Sequence, residues 1–211
     1  KQAAGPNYFV FRDSFRNRDR GDKTGLPQTW WYQRTLGSKQ QVQATDTGFD
    51  YSSQWGQKMN THFLQPARVQ MESREVTAPA TLYNQLARTW LAAGTPVAQK
   101  EGDANATISE TITVNAAGPI SPGADVLVAI YPQGRNETTP KYEALADGVA
   151  RITTASATDY VFASLDGLAF TNAEVAFNGV AGAVRVFRDE VHLIVLEGAG
   201  TVRYQRCTLQ A

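Results

Sequence analysis

From about residue 107 onward, apolar and polar positions alternate every second residue, and Gly, Pro, Asn and Asp interrupt the alternation at short intervals. That period sends successive side chains to opposite faces of an extended chain, and the interruptions supply turns between short strands. The pattern predicts strands over residues 8–12, 29–34, 58–64, 69–76, 107–114, 126–131, 149–153, 160–164, 174–177, 183–187, 191–196 and 201–206. The dipeptides Gly118-Pro119, Asp147-Gly148, Asp166-Gly167 and Asn178-Gly179, with Ser121-Pro122-Gly123, read as the turns. One segment departs from this period. Over residues 81–93, Leu82, Leu86 and Trp90 recur every fourth position beside Tyr83, Ala87 and Leu91, which reads as a short helix over a sheet edge or as an irregular strand. The expected fold is all-β: a two-sheet antiparallel β-sandwich with at most one or two short helices.

At 211 residues, with no internal repeat, low-complexity tract or linker, the chain is expected to be a single domain over residues 1–211. It begins at Lys1 without an initiator Met or a signal segment, so the expectation is a piece of a larger exported protein, secreted or periplasmic. No apolar run approaches the roughly eighteen residues of a membrane span, and no membrane partner is expected. Twenty basic and twenty acidic residues give a net charge of +0, so no global field favours nucleic acid or an anionic bilayer, and charge recognition must be local. The single cysteine, Cys207, excludes an internal disulfide and a Cys-based zinc site and reads as a buried or merely tolerated thiol.

Acid–base or nucleophilic catalysis needs partnered groups, and only two histidines are available. His192 alternates with Val191, Leu193 and Val195 and so faces away from them, as a structural or surface residue; His62 sits in a similarly apolar strand. No P-loop, dinucleotide fingerprint, nucleophile elbow or zinc-protease motif is present. Asp13, Asp19 and Asp22 stand among Arg12, Arg16, Arg18, Arg20 and Lys23, which repel a cation, and no metal or cofactor is expected. No catalytic residue is assigned.

The segment from Arg12 to Trp55 holds the candidate ligand contacts. Arg16, Arg18 and Arg20 lie in a loop whose guanidinium forks suit carboxylate or sulfate groups, unless the interspersed aspartates neutralise them as a solvated ion-pair loop. Trp30, Trp31 and Tyr32 are consecutive, so Trp31 faces away from the other two. That strand is either buried on both sides or offers one indole as a platform for a sugar ring, with Trp55 in a polar turn as a second candidate.

The run Tyr8-Phe9-Val10-Phe11-Arg12-Asp13-Ser14-Phe15, followed by Pro27-Gln28-Thr29-Trp30-Trp31, resembles the C-terminal β-sandwich portion of heparinase II/III-like polysaccharide lyases. The likeness continues in Thr61-His62-Phe63-Leu64-Gln65-Pro66, in the strand that closes with Ala129-Ile130-Tyr131-Pro132, in Asp159-Tyr160-Val161-Phe162 and in Phe177-Asn178-Gly179. The resemblance implies that an α/α-toroid catalytic domain accompanies the sandwich in the parent chain and that β-elimination by Asn, His and Tyr groups occurs between the two. This sequence contains no toroid and nothing that matches those catalytic elements. The implied role is therefore a non-catalytic accessory domain that supports the catalytic domain and binds acidic polysaccharide, uronate chains fitting best. A free-standing carbohydrate-binding module and a purely structural sandwich are the alternatives.

Overall fold

The computed structural model describes residues 7–14, 29–36, 41–52, 58–74, 108–116, 125–134 and 136–211. Among them the chain is all-β and contains no helix. The strands are β1 (Phe9–Ser14), β2 (Thr29–Leu36), β3 (Gln41–Thr45), β4 (Gly48–Ser52), β5 (Lys58–Gln65), β6 (Val69–Arg74), β7 (Ile108–Ala116) and β8 (Asp125–Gln133). They continue with β9 (Lys141–Ala146), β10 (Val149–Thr153), β11 (Thr158–Thr171), β12 (Val175–Val186), β13 (Val191–Glu197), β14 (Thr201–Tyr204) and β15 (Cys207–Gln210).

Two antiparallel sheets dominate, as the alternation predicts. One has five strands in the order β1-β8-β5-β4-β3; the other has seven, β15-β14-β12-β11-β10-β9, with β13 also on β12. A third sheet, β2-β7-β6, is beyond the two-sheet expectation. The helical stripe over residues 81–93 and the turns at 118–119 and 121–123 lie outside the described residues.

The two large sheets meet through Leu64, Leu127 and Ala129 on one side and Ala150 and Ile152 on the other, with Tyr8, Val10, Tyr142, Val161 and Ala163 around them. In β8 every residue from Val126 to Tyr131 is buried. A strand covered on both faces reads as a continuous apolar run, which is how Val126-Leu127-Val128-Ala129-Ile130 is written. Phe49 and Phe63, both fully buried, belong to the face of this sheet turned away from the interface, because Phe63 is in register with Val128 and Phe49 with Thr61.

The seven-stranded sheet bends back over itself. Phe162 is in register with Gly182, whereas Phe177 is in register with Val202, five positions earlier along β12. Five extended residues span about 16 Å, yet the rings of Phe162 and Phe177 stack with centroids 4.5 Å apart and planes 9° from parallel. The strand must therefore fold between them, and it does so beside Gly179, whose φ is 158°. Gly182 lets the ring approach: a Cβ there would stand 2.5 Å from Phe177 Cε2. Val149, Tyr160, Val175, Val184 and Val202 complete the core enclosed by this fold.

This geometry corrects several sequence expectations. Asp147-Gly148 does form the β9–β10 turn, with Gly148 at φ 68°. Asp166-Gly167 and Asn178-Gly179 are not turns between strands; they sit within β11 and β12, where the paired register slips between Ala163 and Leu168. Residues 174–177 and 183–187, read as two strands, are mostly one strand, β12, because a glycine that permits a turn also permits a bend inside a long strand. β3, β4, β9 and β15 were not expected: β15 is exposed throughout and β9 does not alternate regularly, whereas Gln41–Thr45 and Gly48–Ser52 do alternate but only over five residues each.

Candidate functional site

Polar side chains tie the two large sheets together at three places. At the first, Tyr8 precedes β1 and donates its hydroxyl to Asp159 Oδ2 at the start of β11. Arg185 of β12 grips the same carboxylate twice, Nε to Oδ1 at 2.8 Å and Nη2 to Oδ2 at 2.7 Å. Its guanidinium carbon lies 5.5 Å from the Tyr8 ring centroid and 6.0 Å from that of Phe187. Asp159 is buried, and a buried carboxylate is tolerable only when its charge and lone pairs are met in this way. Burial, reinforced by Asp159, drives the Tyr8 hydroxyl well above the ordinary tyrosine range, and the hydrogen bonds to Asp159 hold Arg185 firmly charged.

At the second place, Arg12 of β1 forms an ion pair with Asp125, the first residue of β8, and its Nη2 stands 3.4 Å from Asp147 Oδ1 in the β9–β10 turn. Gln65 binds that turn from β5, donating to Asp147 and accepting from the Gly148 amide at 3.2 Å. Arg12, expected at the end of the strand over residues 8–12 and also as the first of the basic residues that run to Lys23, does lie in a strand, but its side chain is turned from solvent and only 6% exposed. The register explains the difference: Arg12 opposes Leu127, which faces the sheet interface, so its side chain points inward too.

At the third, Tyr142 of β9 donates its hydroxyl to Asn60 Oδ1 at 2.6 Å, and Asn60 Nδ2 donates to Asp50 Oδ1 at 2.6 Å. The His62 imidazole stacks on the Tyr142 ring, centroids 4.2 Å apart and planes 9° from parallel. Burial lowers the His62 pKa below the ordinary histidine value and raises that of Tyr142. His192, by contrast, is exposed while Val191, Leu193 and Val195 pack against the core, as the alternation predicts.

At the third place the two large sheets are offset. β1 lies against β11 and β5 against β9. β9 ends the seven-stranded ladder, so β4 and β3 extend past it. Residues directly opposite in an antiparallel pair share a face. Gln43 opposes Asp50, Asp50 opposes Asn60, and Ser52 opposes Lys58. These side chains therefore share the face that Asn60 turns toward Tyr142, and Gln43 and Lys58 on it are exposed.

Of the ligand contacts expected from sequence, Arg16, Arg18, Arg20 and Trp55 lie outside the described residues. Trp31 stands in β2 with its backbone in register with Val114, and its side chain lies outside the described residues. Cys207 is an exposed free thiol at the start of β15. Among the described residues no group of three or more His, Cys, Asp or Glu side chains is placed to hold a metal ion, and no helix is long and apolar enough to cross a membrane. Sequence reasoning missed the Gln43–Asp50–Asn60–Tyr142 grouping. Its only signal was a series of polar residues in strands whose partners lie up to 82 positions away.

No protein-family model matches this chain, no curated protein matches it in sequence, and no solved structure matches it.

Proposed function

We propose that this chain is a non-catalytic β-sandwich that accompanies a polysaccharide-degrading, lyase-like enzyme, supporting its catalytic domain and binding acidic polysaccharide. The observation that carries this reading is the convergence of β1, β5, β8 and β11. These strands hold most of the segments that resemble heparinase II/III-like lyases, and they come together although up to 151 residues separate the contacts. Ionised groups at these contacts pair with one another: Arg12 with Asp125, and Arg185 of β12 with Asp159, whose carboxylate also accepts from Tyr8. Groups committed in this way stiffen a scaffold, whereas a general acid or base must be free to exchange its proton near the working pH. The acidic glycan would be gripped by Arg16, Arg18 and Arg20 and by the indole of Trp31 or Trp55.

The purified chain, incubated with alginate, heparin or pectin, is expected to produce no ultraviolet absorbance from unsaturated uronate, and to be retarded in gels that contain the polysaccharide. Salt should weaken the retardation, because arginine contacts at an exposed surface are screened. Replacing the contributing indole by Ala should cost about 1–3 kcal/mol of binding, if base stacking is a fair guide to sugar stacking. Appearance of unsaturated product would overturn the non-catalytic half of the proposal, and unretarded migration the binding half.

A further inference from the structure

We infer that two copies of this chain join through the part of β12 and β13 that projects past β1, Ile194 of each copy seating over Ala183 of the other. The joint is independent of what the chain binds.

The two large sheets do not end together. β1 closes one side of the five-stranded sheet and lies against β11, whereas the other sheet continues past β11 through the second half of β12 to β13. Register fixes which side chains of that continuation face the five-stranded sheet. Val161 opposes Ala183 and Ala163 opposes Ala181, and Ala183 opposes Ile194. Val161 and Ala163 pack in the inter-sheet core, so Ala181, Ala183 and Ile194 carry the same face beyond β1, where Ile194 is 39% exposed. At the far edge of the five-stranded sheet the end strand is already met, because β6 lies against β3.

The projection fits its own copy. Tyr8 meets Asp159 at the start of β11, and Arg12 lies beside Gly148, whose carbonyl accepts from the Ala163 amide. β1 therefore runs in the direction of β11 and, through two antiparallel pairings, of β13. A twofold rotation about an axis between the layers and along the strands keeps that direction. It sets β13 of the second copy beside β1 and over β12, and β12 of the second copy over β13. Each copy projects by two strands, so both layers become continuous. The rotation preserves height along the strands, and Ala183 and Ile194 are in register, so each Ile194 comes over the other copy's Ala183. Large over small is the packing that fills sheets about 10 Å apart. The ionic groups on this face are already matched, Arg185 with Asp159 and His192 with Glu190 at 3.4 Å. Among the described residues six large hydrophobic side chains are exposed, and four of them, Phe9, Phe11, Ile194 and Leu196, lie on β1 and β13, the two strands that the joint sets edge to edge. Both strands there gain backbone partners for a free edge.

The test is the mass of the whole chain by sedimentation equilibrium, under reducing conditions so that exposed Cys207 cannot link copies. A joint only two strands wide is at the small end of stable interfaces, so the mass should rise with concentration toward twice that of one chain. Hydrogen exchange at low and high concentration should show the amides of β1 and β13 slowed by association and those of β3 and β15 unchanged. Ile194→Glu places two carboxylates in the joint and should weaken association about tenfold or more. Ile194 is exposed, so this variant should melt with the parent. If it does not fold, the exchange pattern of the parent decides. A chain that stays monomeric at the highest concentration, a dimer protected on other strands, or a folded Ile194→Glu variant that associates as the parent does would each overturn the joint.

Discussion

Arg185 and Asp159 form a two-pronged ion pair across β12 and β11, with bonds of 2.8 and 2.7 Å, and the Tyr8 hydroxyl from the opposing sheet completes the coordination of the carboxylate. Removing the carboxylate leaves a guanidinium and a hydroxyl facing an interior that cannot hydrate them. Asp159→Ala should therefore destabilise the chain by about 2–4 kcal/mol, the lower part of the range applying because Arg185 is a quarter exposed. Tyr8→Phe, which removes one bond to a charged acceptor, should cost about 1–2 kcal/mol. Urea unfolding of the two variants and the parent checks the order; equal midpoints would show that the pair is decoration on the interface.

His62 ties acid stability to the β5–β9 contact. Its folded pKa is depressed by burial, so below the ordinary histidine value, near 6.5, the unfolded chain takes up a proton that the folded chain resists. Its contribution is thus fully present above pH 6.5 and is lost as the pH falls through the folded pKa. His62→Phe keeps a ring against Tyr142 and removes the proton. The unfolding free energy of this variant between pH 7 and pH 5 should decline less than that of the parent, and parallel curves would exclude His62 as the cause.

At the alkaline end the sign reverses. Burial, aided by the hydrogen bond to Glu174, pushes Tyr160 up to about 12, and Tyr8 and Tyr142 are also raised, so the folded chain holds phenolic protons that the unfolded chain releases near pH 10. Stability should be intact below pH 10 and fall as the pH rises through the folded values. Ultraviolet titration should then show several tyrosines ionising only together with unfolding. A smooth titration of all tyrosines near pH 10 in a folded chain would contradict this.

The bend in β12 depends on a missing side chain. Gly182→Ala places a methyl group 2.5 Å from Phe177 Cε2, and the ring must give way or the strand must shift. The expected cost is about 1–3 kcal/mol, the usual penalty of overpacking. Phe177→Ala should cost about 3–5 kcal/mol, since it empties one half of the Phe162–Phe177 stack. In the double variant only the Ile194 carbonyl oxygen, 2.7 Å away, remains in the path of the methyl group, so the combined cost should be less than the sum of the two. Strict additivity would place the strain elsewhere.

Cys207 is exposed. A thiol-specific reagent should consume one equivalent in the native chain without denaturant. Reaction only after unfolding would mean that the thiol is covered in solution.

Local chemistry in the sequence determined the all-β class, most of the long strands, the Asp147-Gly148 turn and the outward side of His192, because each depends on residues within a few positions of one another. It did not distinguish a turn from a bend. Asn178-Gly179 has the composition of a hairpin, and only the packing of Phe177 on Phe162 decides that the chain continues as one folded strand. The edge strand β9 was illegible because its two inward residues, Tyr142 and Leu145, stand three positions apart, a spacing that regular two-residue alternation does not give. Arg12 shows the same limit from the other side. Arg16, Arg18 and Arg20 follow within eight positions and suggested a solvated basic segment, but its register opposite Leu127 and the approach of Asp125 decide that it is buried and paired. The candidate contacts Arg16, Arg18, Arg20 and Trp55, with the Trp31 side chain, were legible as chemistry only and lie outside the described residues. The grouping of Gln43, Asp50, Asn60 and Tyr142 was not legible at all, since four unremarkable residues become one surface only when strands distant in sequence are set side by side and two sheets are offset.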